Sequence, residues 1–310
     1  MSRYQTKYSE YRIRHLAELT GFSPHVIRKW EQRFNLLSPR RGNNGYRLFD
    51  QTDLQILLFI RSQLTDGSTI GQLAARGRSA LIAEMNSGEV DISEVPKEYK
   101  HLAEKIVSAA RSRDSVTIEK TLDTLIQQLG FEPALTKIFF PLLRFVGDLW
   151  HQGRISVLGE QSVSQPIHRL LAEYNRLQNG GGVSQAIVAC APDDFHEIGA
   201  MAVSLFLRKN GWDVTYLGPN SNIDMMRLAC ERHRAKLVIV SCTVERPLTH
   251  MKHLTEKIMR QLMPITTVLI GGKGANLHID SLKRKGIRYI EKIEQFNELI
   301  PQSQIFSKIT

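Results

Sequence analysis

One aspartate and one histidine near the end of a short apolar run have the spacing of a metal ligand and its supporting carboxylate. Residues 186–191 are apolar, and Asp194 and His196 follow them two residues apart. Such a carboxylate can hold one imidazole nitrogen while the other binds a metal, which fixes the tautomer and raises the basicity of the ligand. A single histidine at a strand end is more often a structural residue, so the pair points to a metal only together with further groups.

Further polar and small residues follow the later apolar runs. Ser241 and Thr243 come at the end of the run 237–241, and Gly271, Gly272 and Gly274 come at the end of the run 268–271. In a parallel sheet of order 2-1-3-4-5 these groups meet near the crevice between strands one and three, where ligands bind. Glycines there would let a bulky group approach the backbone, although two glycines after a strand are more often a simple turn.

Taken together, these motifs resemble the cobalamin-binding domain of corrinoid-dependent enzymes. The matching pattern is Asp194-x-His196-x-x-Gly199, then Ser241-x-Thr243, then Gly271-Gly272. The resemblance implies that His196 is the lower axial ligand of cobalt and displaces the dimethylbenzimidazole tail of the cofactor. It also implies that Asp194 orients His196, and that the tail lies against Ser241, Thr243, Gly271 and Gly272.

The periodicity of the surrounding sequence predicts the elements that position these residues. The runs 186–191, 214–217, 237–241, 268–271 and, more weakly, 288–290 alternate with helical stretches, which predicts a flavodoxin-like (Rossmann-type) doubly wound α/β domain. Residues 179–182 (Asn-Gly-Gly-Gly) predict a flexible joint before it. Between 97 and 178, apolar residues recur every three or four positions, with breaks near Asp114, Gly130 and Gly153, which predicts a four-helix bundle.

The first quarter of the chain has the pattern of a winged helix-turn-helix. Residues 13–19 predict a short helix, 20–22 a tight turn, and Ser23-Pro24 the N-cap and first turn of a second helix that ends at Phe34. Residues 38–47 predict a hairpin with Asn-Gly at its tip. The second helix would present one face with His25, Arg28 and Lys29 to a major groove. A bare helix-turn-helix pattern is equally compatible with a generic helical hairpin.

The charge distribution favours a polyanionic partner for this segment. Residues 1–78 hold 13 Lys and Arg but only 6 Asp and Glu, so most of the net charge of +10 lies in the first quarter of the chain. Such a basic domain is typical of DNA or RNA binding, with an acidic membrane surface as a weaker alternative.

The ordered motifs of residues 11–78 resemble the DNA-binding domain of the MerR family of transcription regulators. They are Ile-Arg-x-Trp-Glu-x-Arg-Phe at 27–34, Pro-Arg-Arg at 39–41, Gly-Tyr-Arg-Leu-Phe at 45–49 and Asp53-Leu54. The resemblance implies that the partner is a double-stranded DNA operator. Candidate DNA contacts are then His25, Arg28, Lys29, Arg40, Arg41, Tyr46 and Arg47. No sustained heptad pattern follows Arg78, so the C-terminal part is expected to form a ligand-dependent homo-oligomer, either a dimer or a tetramer.

The bundle is similar to the helical cap over the upper face of cobalamin in the CarH/LitR type of light-responsive, adenosylcobalamin-dependent repressors. That type has a Trp-x9-Glu-His signature, and Trp150 and Glu160 match it, whereas Gln161 stands in place of the His. The resemblance implies that Trp150 packs on the adenosyl group, that Glu160 contacts its ribose, and that His151 ligates cobalt after light has removed that group. Without the resemblance, Trp150 and His151 are more simply a helix end with Trp in the core.

The prediction is therefore a multi-domain repressor rather than an enzyme. The expected segments are 1–78 (winged helix), 79–96 (linker), 97–180 (helical cap) and 181–310 (cobalamin domain). One rival is the corrinoid module of a methyltransferase, against which the winged helix argues, as does the lack of length for a catalytic domain. The other is a regulator that does not need cobalamin and responds to redox state, oxygen or a protein partner.

Composition agrees with a protein of the reducing cytoplasm. Of all residues, 42% are hydrophobic and 23% are charged, and no apolar run approaches the ~18 residues that a membrane span needs. The N-terminus has no apolar stretch like that of a secretory signal. Cys190, Cys230 and Cys242 are odd in number and spaced like neither a disulfide scaffold nor a zinc site.

Overall fold

The computed structural model describes residues 10–42, 44–87, 92–178, 182, 184–291 and 293–295. These residues belong to two compact units, one ending at Ile167 and the other beginning at His168. The predicted joint at 179–182 lies outside the described residues except for Gly182. No helix in these ranges is long and apolar enough to cross a membrane.

The first two helices form the predicted helix-turn-helix. Helix α1 spans Ile13–Thr20 and ends at Gly21, whose φ of +75° is the left-handed conformation that favours glycine. Helix α2 spans Pro24–Phe34 and begins as predicted, because Ser23 Oγ accepts a hydrogen bond from the amide of Val26 and Pro24 occupies the first turn.

The predicted wing is also present. Strand β1 (Arg40–Arg41) pairs antiparallel with strand β2 (Arg47–Leu48). The tip includes Asn43, which lies outside the described residues. A bridge between Tyr11 and Phe49 anchors the base of the wing to the start of α1.

Three helices complete the domain and correct the prediction of a linker from 79. They are α3 (Gln51–Thr65), α4 (Ile70–Arg76) and α5 (Arg78–Ser87). Leu81 and Met85 of α5 are buried in the same core as Leu16, Ile27 and Phe59. The first half of the predicted linker is therefore helical, because its two large apolar side chains lie four residues apart and complete this core.

The bundle has the four predicted helical segments, with breaks close to the predicted residues. The segments are α6 (Lys100–Ser112), α7 (Ser115–Leu129), the continuous run of α8 (Phe131–Ala134), a π-helical turn (Leu135–Phe139) and α9 (Phe140–His151), and finally α10 (Val157–Leu177). The π turn lies just before Pro141, which has no N–H to donate to the carbonyl of Lys137.

The C-terminal unit has the predicted sheet. Strands lie in the order β4-β3-β5-β6-β7, which is 2-1-3-4-5 within the domain, and all are parallel. They are β3 (Ser184–Cys190), β4 (Trp212–Gly218), β5 (Leu237–Ser241), β6 (Thr267–Gly271) and β7 (Arg288–Ile290). The helices between them are α11 (Ile198–Lys209), α12 (Ile223–His233), α13 (Leu248–Gln261), α14 (Lys273–Asn276) and α15 (Ile279–Arg284).

Both faces of the sheet are covered, as parallel sheets require. Met226 of α12 and Leu254 of α13 pack on one face, and Leu207 of α11 packs on the other. The carboxyl ends of β3, β5 and β6 are neighbours, because Cys190 pairs with Ser241 and Ser241 pairs with Gly271. The residues selected from the sequence therefore meet at one edge of the sheet.

Candidate functional site

Asp194 is the centre of a hydrogen-bond network at this edge. Its side chain is fully buried. Oδ1 accepts from the amide of His196 at 3.0 Å and lies 3.2 Å from His196 Nδ1, while Oδ2 accepts from the amides of Thr243 and Val244. Asp194 thereby ties the loop after β3 to the loop after β5, across the topological switch point of the sheet.

These contacts keep the Asp194 carboxylate charged and orient the His196 ring. Burial raises the pKa of Asp194, but the hydrogen bonds from His196 and the two amides outweigh it, so the pKa is lowered overall. The His196 side chain is 68% exposed, and Asp194 holds its Nδ1. A metal at this position would therefore be ligated by Nε2 of an imidazole whose tautomer the carboxylate sets.

The small residues predicted around His196 lie next to it along the sheet edge. Ser241 is buried at the end of β5, and the backbone of Thr243 is held by Asp194. A Cβ placed on Gly199, at the start of α11, would meet only Ser241 Oγ, at 3.9 Å. There is therefore open space between the backbone of Gly199 and the side chain of Ser241, at the carboxyl end of β5.

The glycines after β6 are required for the packing of the chain's own loops, whereas the sequence pattern predicted that they make room for a bulky group. A Cβ on Gly272 would lie 2.4 Å from the carbonyl oxygen of Cys242, and one on Gly274 would lie 2.1 Å from that of Val244. A Cβ on Gly271 would lie 3.1 Å from the carbonyl oxygen of Ile290. The groups that approach these glycines are thus the chain's own loops, and the glycines allow the loop after β6 to pack on the loop after β5.

A second polar cluster lies behind the His196 loop and was not found from the sequence. Glu197 Oε1 is 2.9 Å from His168 Nε2 of α10, and Glu197 Oε2 accepts a hydrogen bond of 2.8 Å from the hydroxyl of Tyr216 on β4. Asn175, also on α10, donates to the carbonyl of Met201. Because Glu197 follows His196 directly, this cluster fixes the end of the loop that carries the imidazole. The hydrogen-bonded partners in this cluster are 19 to 29 positions apart, so no local pattern reveals them.

The charge of Glu197 should stabilise this unit. The hydrogen bond with His168 lowers the pKa of Glu197, burial opposes the shift, and Tyr216 adds to the lowering. A carboxyl whose pKa is lower in the folded state stabilises the fold at neutral pH, and this contribution is lost as the pH falls through that pKa. We expect Glu197→Gln to lower the free energy of unfolding by roughly 1–2 kcal/mol at pH 7. This loss of stability should become smaller below about pH 4. Urea unfolding at pH 7 and at a pH below about 4 measures the difference.

Glu231→Gln is the matched control. Glu231 pairs with Arg227 one turn away on α12, and both side chains are substantially exposed. Such a pair contributes about 0.5 kcal/mol or less. Equal losses for the two variants at pH 7 would contradict the role assigned to Glu197.

The end of α9 carries the two aromatic residues predicted for the upper face of a cofactor. The rings of Trp150 and His151 are 4.5 Å apart. The indole Nε1 of Trp150 is buried and has no hydrogen-bond partner among the described residues. Glu160 and Gln161 lie in the first two turns of α10 and are half-buried. A buried indole N–H without a partner is a position where a bound group can supply the missing acceptor.

The candidate DNA contacts on α2 lie on its outer face. His25, Arg28 and Lys29 are all exposed, whereas Ile27 on the opposite face is fully buried in the core. Trp30 packs edge-on against Phe22 of the turn, with ring centroids 4.7 Å apart. The helix is therefore held from behind and presents a basic surface outward.

The wing arginines divide into two kinds. Arg47 is half-buried, and its Nε donates to Glu31 of α2 at 2.8 Å, so it ties the wing to the second helix. Arg40 is paired with Glu10. Arg41 and Tyr46 are exposed, Tyr46 by 64%, and the guanidinium of Arg12 lies over the Tyr46 ring. The sequence pattern does not predict the salt bridge between Arg47 and Glu31.

Metal binding at these sites would rest on single histidines. Within the described ranges there is no group of three or more His, Cys, Asp or Glu that could enclose a metal ion. The three cysteines are buried thiols, and burial raises the pKa of Cys190 to about 12. A cobalt ion whose equatorial ligands come from a corrin ring needs only one axial ligand from the protein.

Comparison with known families agrees with the two predicted domains, the helix-turn-helix domain and the cobalamin-binding domain. Residues 11–76 match the MerR HTH family regulatory protein, and residues 184–299 match the B12 binding domain. The chain therefore joins a MerR-type helix-turn-helix to a B12-binding domain. The fold prediction and the prediction of cobalamin binding in its general form are confirmed.

Two bacterial repressors are similar to the chain over most of its length. The HTH-type transcriptional repressor CarH of Myxococcus xanthus is 26% identical over 292 residues, which is 93% of this chain and 97% of that protein. The HTH-type transcriptional repressor CarA of the same organism is 25% identical over 287 residues, which is 92% and 94% of the two chains. These relatives are regulators, in agreement with the prediction that the chain is not an enzyme.

A solved corrinoid protein shares the fold of about two thirds of the chain. The monomethylamine corrinoid protein of Methanosarcina barkeri superposes with a TM-score of 0.52 at 17% identity, over 65% of this chain and 97% of that chain. At this identity the likeness concerns the fold alone.

Proposed function

We propose that this protein is a transcriptional repressor whose oligomerisation and operator binding depend on adenosylcobalamin and are relieved by light. The observation that carries the proposal is the exposed His196 imidazole, oriented by a buried carboxylate, in a chain that also presents a basic winged helix. The repressor relatives over nearly the whole chain support it. Its location in the cytoplasm remains a prediction.

The described residues fit a corrinoid. His196 offers the one axial ligand that such a cofactor takes from the protein, and the space beside Gly199 and Ser241 suits the displaced tail. We assign Thr243, Gly271 and Gly272 to the surroundings of the tail, the two glycines through the close packing of the loop after β6 that they allow. The partnerless buried N–H of Trp150, in the other unit, suits a bound group at the end of α9. Adenosylcobalamin, when bound, would supply a cobalt–carbon bond that light breaks.

The side chains of the bundle would distinguish the two states of the cofactor. We assign Trp150 to packing against the adenosyl group, and Glu160 and Gln161 to hydrogen bonds with it. Gln161 carries both a donor and an acceptor, so it can replace the His of the repressor signature in this role. We assign His151 to cobalt ligation in the state without the adenosyl group.

The DNA-binding surface would act through avidity. We assign His25, Arg28 and Lys29 to the major groove, and Arg40, Arg41, Tyr46 and Arg47 to the wing's contact with the phosphate backbone. Linking several winged helices in one homo-oligomer raises the affinity for a multipartite operator without any new contact. Loss of the oligomer on illumination would then release the operator, provided that the cofactor favours one arrangement by a few kcal/mol.

An absorbance experiment on the full chain tests the proposal. The protein is incubated with adenosylcobalamin in darkness, desalted, measured, exposed to green light and measured again. We expect the corrinoid to stay bound and its spectrum to change irreversibly to that of a form without the adenosyl group. Loss of all colour on desalting would overturn the dependence on cobalamin, and a spectrum that light does not change would overturn the photosensor.

A further inference from the structure

The DNA-binding domain touches the bundle at the turn that ends α9. Gly153, two residues after this helix, lies against α3 so closely that a Cβ on it would be 2.1 Å from the carbonyl oxygen of Gln55 and 2.8 Å from the amide nitrogen of Phe59. Both neighbours are backbone atoms in the middle of a helix and cannot move aside. The two elements can meet in this way only because residue 153 is glycine.

Two side chains of α3 hydrogen-bond across the same contact. Gln55 Nε2 donates to the carbonyl of Gly153 at 3.1 Å. The guanidinium of Arg61 donates through Nη2 to the carbonyl of His151 at 3.4 Å and through Nη1 to the carbonyl of Thr20 at 3.5 Å. Thr20 is the last residue of α1, at the turn of the helix-turn-helix. Arg61 thus connects this turn to the backbone of His151.

Both sides of the contact are rigid. The end of α9 closes with hydrogen bonds from the amide of Gly153 to Trp150 and from the amide of Arg154 to Leu149, with Gly153 at a φ of +71°. On the other side, Phe59 of α3 is fully buried among Leu16 and Ile27 of the two helices of the DNA-binding motif. A shift in the backbone of residues 150–153 must therefore displace α3 or break the contact.

We propose that the turn 150–153 is the docking surface of the DNA-binding domain on the sensor, and that Gln55 and Arg61 transmit the state of this turn to the helix-turn-helix. This coupling rests on the proposed function, because Trp150 and His151 are the residues assigned to the upper face of the cofactor. When the turn 150–153 moves, Arg61 loses the carbonyl of His151 and Gln55 loses the carbonyl of Gly153, and the orientation of the winged helix on the bundle changes.

The docking itself is tested on the full chain without cofactor. The variants are Gly153→Ala, Gln55→Ala and Arg61→Met. The control is Gly130→Ala, because Gly130 has a similar positive φ of +79° at a helix end and its nearest neighbour, a proline side-chain atom, is 4.0 Å away. We expect the three variants to exchange amide hydrogens about tenfold faster in peptides covering 51–62 and 148–156 than the control does, since losing a contact of this size frees both elements locally.

The coupling is tested with adenosylcobalamin bound and a DNA duplex that the wild-type protein has selected from a randomised pool in darkness. The measured quantity is the ratio of DNA affinities in darkness and after green light. We expect Gln55→Ala and Arg61→Met to retain the cobalamin spectrum and its conversion by light, while this ratio falls several-fold towards one.

The outcomes separate the coupling from the proposed function. Exchange rates equal to those of Gly130→Ala would overturn the docking surface, whatever the cofactor does. Faster exchange with an unchanged affinity ratio would overturn the coupling alone. A wild-type protein that retains no cobalamin, or whose affinity ratio is already one, would overturn the proposed function and the coupling together, while the exchange rates would still decide on docking.

Discussion

His196→Ala is expected to weaken retention of cobalamin by at least about 10–100-fold, since loss of only an orienting partner of a metal ligand already costs that much. The variant should also remove the protein's axial nitrogen from the cobalt. The test uses cobinamide, a corrinoid without the dimethylbenzimidazole tail, because the nitrogen of that tail could otherwise return to the cobalt in place of the imidazole. The direct measurement is the electron paramagnetic resonance spectrum of the cobalt(II) form, in which an axial nitrogen nucleus splits the cobalt lines. Dark operator binding should then no longer depend on added cobalamin.

Two further variants make this result interpretable. His233→Ala removes an exposed histidine at the end of α12 and should leave retention and spectrum unchanged. His196→Gly with added imidazole should regain the nitrogen splitting, since the His196 ring is 68% exposed and its removal opens the site to a small ligand. Nitrogen splitting in His196→Ala equal to that of the wild type would refute His196 as the ligand.

Asp53→Ala is expected to have the largest effect on the stability of the DNA-binding domain. Asp53 is fully buried, and its Oδ1 accepts from the amide of Ser38 at 2.9 Å and from Arg78 Nη1 at 2.6 Å. It joins α3 to the base of the wing and to α5. Removing one partner of such a pair leaves the other charge without compensation and destabilises by about 3–5 kcal/mol. Urea unfolding followed by hydrogen exchange of residues 10–87 measures the loss.

The double variant Asp53→Leu with Arg78→Met should lose less stability than either single change. Burial raises the pKa of Asp53 even though Ser38 and Arg78 oppose the shift, so the charged form is costly to bury. Replacing both members by apolar side chains of similar size removes that cost. Asp66→Ala, at the exposed end of the same helix, is the control and should change stability by less than about 0.5 kcal/mol. A double variant as unstable as Asp53→Ala would contradict this account.

Local signals explain why much of the fold is predictable from the sequence. Ser23-Pro24 starts α2 because the hydroxyl and the proline ring act on the next few residues alone. The strand order 2-1-3-4-5 follows from apolar runs that alternate with helical stretches. Asp194 and His196 are two residues apart, so their hydrogen bond is nearly local as well.

Signals that depend on distant residues were missed or misread. The local sequence of α5 predicts a linker, because the contacts that stabilise this helix are made with distant residues. Leu81 and Met85 are buried in the core of the DNA-binding domain, and Arg78 pairs with Asp53, 25 positions earlier. The cluster of Glu197, His168 and Tyr216 joins three elements that only the packed domain brings together.

By itself the sequence determined the two kinds of domain, their order and the residue types at the ends of strands and helices, because caps, turns and periodicity act within a few residues. Only the tertiary structure decided what those residues touch. It showed that Gly272 and Gly274 pack closely against the loop after β5, and that Gly153 packs closely against the backbone of α3. It also showed that Arg47 forms a salt bridge with Glu31. The physical reason is that close packing and hydrogen bonding between elements depend on distances in space, which spacing along the chain does not specify.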